Sequence, residues 1–247
     1  MFHRIDSLAV CPGSSATFAR VQAWRPGLVS DEVGHGEIFA SAREGSGAAM
    51  ALALALDRAR AAASDPLADA PDQRMWLWVQ DREALRRTGR PYRPGLPRAL
   101  RHRLIHVAAT SPEEALFDME EGLRCRDLAF VIGEMAGNPR ALDFTATRRL
   151  SLMAGQHGVP LWLVRIDARP GLSSARLRWQ ARAAPSLPGH WNPQAPGHPA
   201  WRGELFRARA HPPGEWTLRD DGHVLAADPA HPRDLVSPAG DRPLAAG

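Results

Sequence analysis

Lysine is missing from this sequence: all 31 residues counted as lysine or arginine are arginine. The absence excludes any chemistry that needs an ε-amino group, including the cation with which a phosphate-binding loop neutralises a nucleotide. Cysteine is scarce. Cys11 and Cys125 have neither metal-ligand spacing nor the numbers for a disulfide framework, so a reducing, cytoplasmic location is expected. Long apolar runs are missing too. The longest, Ala48–Leu56, is too short to span a bilayer and ends at Asp57, so no membrane association is expected. The opening "MFHRIDSLAVCPGSS" lacks the apolar stretch of a secretion signal.

What is present supports a folded α/β chain. Of the 247 residues, 44% are hydrophobic, enough for a buried core. A net charge of +4 permits contact with nucleic acid, although scattered arginines are mostly solvated. The Gly/Pro punctuation of residues 1–36 predicts an irregular segment, followed by a domain over 37–228 and a flexible tail over 229–247. Within the domain, Glu37–Ala40 reads as a short strand and Ser46–Ala63 as an Ala/Leu-rich helix. Three apolar runs, Met75–Gln80, Leu104–Ala108 and Leu128–Glu134, have the length of strands buried on both faces, and Val159–Ile166 makes a fourth. Between them, Ser111, Pro112 and Glu114 spell a helix start. Asp143 or Thr145 caps a further helix that Gly155 or Gly158 stops. Alternating strands and helices predict a mostly parallel sheet flanked by helices. From about residue 175 to 226 the pattern changes to period two, predicting added antiparallel strands, two of them joined around "HPPG".

The stretch Glu37–Ala59, strand then Gly/Ser loop then apolar helix, has the frame of a phosphate-binding loop, G-x-x-x-x-G-K-[ST]. With Gly47 as the second glycine, Ala42 takes the place of the first, Ala48 that of the lysine and Ala49 that of the serine or threonine. Gly45, Ser46 and Gly47 still form an anion-friendly turn, but Glu44 sets a carboxylate where a polyphosphate would sit. The alternative is a plain strand–helix turn containing glycine. Glu134, at the end of the third apolar strand, stands at the Walker-B-like position or else is an exposed loop glutamate.

These segments together resemble the ImuA family of RecA-like proteins. The resemblance is carried by "GEIFASAREGSGAAMALALAL", "MWLWVQDRE", "EEALFDMEEGLRCRDLAFVIGEM", "LDFTATRRLSLMAGQHGVPLWLVR" and "WRGELFRARAHPPGEWTL", and covers roughly residues 25 to 220. It implies a RecA-like core and a role in DNA-damage-induced translesion synthesis, in the SOS response. The implied partners are an ImuB-like Y-family protein and an error-prone replicative-type polymerase, with RecA and DNA as further candidates. The resemblance, set beside the lost Lys and Ser/Thr, implies a non-catalytic adaptor that needs no cofactor. The competing readings are a residual DNA-dependent ATPase or RecA regulator, and a SulA-like division inhibitor.

Other constellations carry less. His102 and His106 have i, i+4 spacing, but His106 falls in a predicted strand, so they share no helical face and no metal site is expected. No nucleophile elbow is present. The arginines remain as candidate contacts for DNA or a partner: Arg86 and Arg87, Arg148 and Arg149, and Arg176 and Arg178, whose planar forks suit phosphate or carboxylate.

Overall fold

A computed structural model describes residues 34–63, 72–187, 197–209 and 211–229, with positions 26, 192, 194 and 195. Most of the irregular 1–36 segment and all of the tail beyond Pro229 lie outside the described residues. The elements in chain order are β1 (His35–Ala40), α1 (Ser46–Ala63), β2 (Met75–Gln80), α2 (Arg82–Thr88), a 3₁₀ turn (Arg93–Gly95), α3 (Arg98–Arg101), β3 (Leu104–Ala108) and α4 (Pro112–Arg124). Then come β4 (Leu128–Ala136), α5 (Phe144–His157), β5 (Leu161–Ile166), β6 (Leu177–Ala183), β7 (Ala200–Ala208), β8 (Gly214–Asp220) and β9 (Leu225–Pro229).

One nine-stranded sheet has the order β3-β2-β4-β5-β1-β6-β7-β8-β9. β1 lies between β5 and β6 and runs parallel to both. The antiparallel strands begin with the β6–β7 pair. The expected antiparallel strands at the C-terminal end are present, and β6 joins them to the parallel part of the sheet by pairing with β1 in parallel and β7 in antiparallel fashion. A connection over residues 167–176 crosses β1 and returns the chain in the same direction, fixed where Arg176 N donates to His35 O at 2.9 Å.

Alternation along each strand sorts the core into two layers. Trp76 and Trp78 face α1, with Ile38, Trp162 and Trp179. Leu77 and Val79 face α4 and α5, with Val131 and Leu163. Gly36 sits against the Trp162 ring, where a Cβ would lie 2.6 Å from a ring carbon. α1 is apolar nearly all round because it fills the space over β1, β4, β5 and β6, and Met50, Ala51 and Leu54 are fully buried.

Local signals explain most element ends. Asp143 caps α5 by accepting from Ala146 N at 2.7 Å, and Gly158, with φ of 74°, stops it. Ser111 accepts from Glu114 N at 3.1 Å, but the Glu114 carboxylate returns to Thr110 N, one residue before the cap. β5 starts at Leu161 rather than Val159, since Pro160 has no N–H for the ladder. β3 differs more. It was expected to be buried on both faces, yet it pairs only with β2 and is partly exposed, because the chain places this apolar run at the sheet edge. "GEWTLRDDGHVLAAD" is a hairpin, β8 to β9, turned at Asp221–Gly222 with Gly222 at φ of 89°.

Candidate functional site

The end of β1, the start of α1 and the C-terminal ends of β2 and β4 enclose a cavity of about 120 Å³. This is the ligand-binding edge of a parallel sheet. Gly45, Gly47, Ala48 and Glu44 wall one side, and Trp78, Gln80, Thr88 and Glu134 the other. The cavity is smaller than the roughly 300 Å³ at which small-molecule sites begin, and the space opens to solvent on one side.

The loop leading into α1 turns its own polar groups inward. Ala42 N donates to Asp167 Oδ1 at 3.0 Å, Arg43 N to Ser41 Oγ at 3.2 Å and Glu44 N to Ser41 O at 3.2 Å. These successive amides are thereby withdrawn from any anion. The Glu44 carboxylate accepts from Ala183 N at 2.6 Å and from Ser46 Oγ at 3.4 Å, joining the loop to the end of β6. Gly47 has a packing reason: a Cβ there would lie 2.6 Å from Ala40 Cβ and 2.9 Å from Val164 Cγ1. Ala48, in the lysine place, lines the cavity with a methyl group, and Ala49 points to solvent.

Asp167, at the end of β5, is the residue that sequence reasoning missed here. Its φ of 50° is the left-handed conformation that aspartate tolerates. Its carboxylate holds Ala42 N on one oxygen and Arg87 Nη1 on the other, at 2.7 Å. The bond from Ala42 N, followed by Arg87, keeps its pKa below the usual range. An aspartate directly after an apolar strand was the only signal available.

Glu134 is buried at 1% exposure, which removes the exposed-loop alternative. Trp78 Nε1 donates to its Oε1 at 2.9 Å, and Gln80 Nε2 lies 3.2 Å from its Oε2. Thr88 Oγ1 stands 3.0 Å from the same oxygen and 2.9 Å from Ala84 O, so its one proton can satisfy only one of them. Burial raises the pKa of Glu134 against these hydrogen bonds. A protonated Glu134 donates to Thr88, which then donates to Ala84 O, and every bond is satisfied. Gln80 carries the network on to His106 Nε2 at 2.9 Å, on the edge strand.

The candidate arginines do not form one surface. Arg86 and Arg87 each bind Glu83 at 2.7 Å, on the α1 side of the sheet. Arg149 binds Glu120 at 2.9 Å on the opposite side. Beside it, Arg148 is exposed and makes no ion pair among the described residues. Arg176 lies along Gly34, its Cδ 3.2 Å from where a Cβ would stand. Arg178 is a core residue. Its Nε donates to the fully buried Glu37 at 2.8 Å, and its guanidinium lies 5.2 Å from the centroids of both Phe39 and Phe206. Ser173 Oγ donates to the other Glu37 oxygen at 2.7 Å, and Arg165 Nη1 approaches to 3.9 Å. Next along β1, His35 is buried with Nδ1 3.1 Å from Ser151 Oγ, and burial lowers its pKa to about 4. Among the described residues there is no cluster of three or more potential metal ligands, and no helix is long and apolar enough to cross a membrane.

This sheet order, with a loop and helix after the central strand and a carboxylate at the end of β4, defines an α/β protein with a RecA-like fold. No family model matches the chain. Its curated relatives include two proteins named Protein ImuA, from Caulobacter vibrioides strains NA1000 / CB15N and ATCC 19089 / CIP 103742 / CB 15. Each is 35% identical over 164 residues, covering 62% of this chain and 62% of the relative. Over that span the chain is similar to Protein ImuA. The match spans about three fifths of the length of those relatives.

Proposed function

We propose that the chain is a non-catalytic accessory protein of DNA-damage-induced translesion synthesis, working in the cytoplasm. In this reading it is an adaptor in an error-prone mutasome, joining an ImuB-like Y-family protein to an error-prone replicative-type polymerase. Kinship with ImuA supports the setting. The observation that carries the non-catalytic part is the internal use of the loop: Asp167 and Ser41 take the amides of Ala42, Arg43 and Glu44. With Ala48 in the lysine place, the loop lacks the cation that a phosphate-binding loop sets at the start of its helix.

The test is titration of fluorescent ATP with magnesium, with and without single-stranded DNA, together with co-purification against an ImuB-like partner. No nucleotide binding up to millimolar levels and a stable complex with the partner are expected. Specific micromolar ATP binding would replace the adaptor with a residual DNA-dependent ATPase.

A further inference from the structure

We propose that the outer face of α5 docks an amphipathic helix of a partner protein, one carrying a carboxylate with apolar residues a turn to either side. The inference rests on the adaptor reading and names the surface through which it would operate. Phe144, Arg148 and Leu152 follow one another at four-residue intervals, about 12 Å of one helix stripe. Phe144 is 47% exposed and Leu152 60% exposed, with the exposed Arg148 between them. Leu172, 85% exposed, belongs to the adjoining loop, which is pinned to α5 where Ser174 Oγ meets Ser151 Oγ at 2.7 Å.

Charge decides the occupant. From Phe144 to His157 the helix has no acidic residue, and its cap Asp143 is engaged by Ala146 N. Arg149 is held by Glu120. Arg148 therefore offers the stripe's one uncommitted charge, framed by apolar side chains, the arrangement of an interface anchor. A second copy of the chain does not fit: a two-fold contact of this face with itself would oppose Arg148 to Arg148 without a carboxylate. Nucleic acid fits poorly as well. Tracking a phosphate backbone takes several cations, whereas the neighbouring α4 carries Glu113, Glu114 and Glu121. A partner helix with the complementary pattern sets its ridge along this one.

The test measures binding of the purified full chain to a purified ImuB-like protein, and separately to single-stranded DNA. The chains compared are wild type, Arg148→Glu, Leu152→Asp and, as a control, Arg98→Glu at an exposed position on α3. Circular dichroism and Tm establish that each variant is folded, with Arg148→Gln in reserve. Arg148→Glu and Leu152→Asp are each expected to weaken partner binding about thirtyfold or more, with Arg98→Glu unchanged. Partner binding that survives both changes overturns the surface and leaves the adaptor reading standing. Failure of the wild type to bind overturns the adaptor reading and the inference with it. Loss of DNA binding alone in Arg148→Glu assigns the face to nucleic acid and overturns the proposal.

Discussion

Arg178 and Glu37 meet at 2.8 Å across neighbouring parallel strands, the arginine 4% exposed and the glutamate fully buried. Two buried charges hold each other only while both are present. Replacing Arg178 by methionine leaves the Glu37 carboxylate with Ser173 and a distant Arg165, and should cost about 3–5 kcal/mol in urea unfolding. The double variant Glu37→Leu/Arg178→Met should recover much of that loss. A double-mutant cycle showing plain additivity would contradict the coupling.

His35 supplies a pH dependence. Its folded pKa, about 4, lies below the ordinary 6.5, so between these values the unfolded chain binds the extra proton. Stability from this group is complete above pH 6.5 and falls by about 3 kcal/mol as pH drops towards 4. Urea midpoints measured across that window should decline in the wild type and decline less in His35→Gln.

Glu134 acts in the opposite sense. Its folded pKa is raised, so its contribution is present below pH 4.5 and is lost as pH rises through the folded value. In Glu134→Gln an amide stands where the protonated acid donates to Thr88. That variant no longer accepts from Gln80 Nε2 but cannot ionise, so its stability should fall less than that of wild type as pH rises above 4.5.

Asp167→Gly keeps the left-handed turn and removes the carboxylate that holds Ala42 N and Arg87. Hydrogen exchange of the Ala42 amide should accelerate while exchange within β4 stays unchanged. An unchanged Ala42 rate would show that Asp167 does not hold the loop.

Much of this fold was legible because its strands are locally consistent: "MWLWVQ" has strand length, apolar content and turn signals on both sides. α1 and β2 fall on their expected residues, Ser46–Ala63 and Met75–Gln80. Edge and centre were not legible. "LIHVA" and "LWLVRI" are alike as strings, yet one lies at the rim and the other beside β1, a difference set by long-range pairing. The candidate site was half legible. The glycine frame located the cavity, but the partners of Glu134 and the intervention of Asp167 come from segments far off in sequence. Arg178 shows the limit most clearly. Nothing local distinguishes it from Arg176, and only Glu37, 141 residues away, makes it part of the core.

The position of β1 also has a temporal meaning. It is the first of the described strands in the chain but the fifth of nine in the sheet, lying between β5 and β6. A nascent chain leaving the ribosome must therefore carry His35–Ala40 without either neighbour until Leu161 and then Leu177 emerge. Non-local pairing of this kind makes folding slow, and exposes an apolar strand for most of the time the chain is being made.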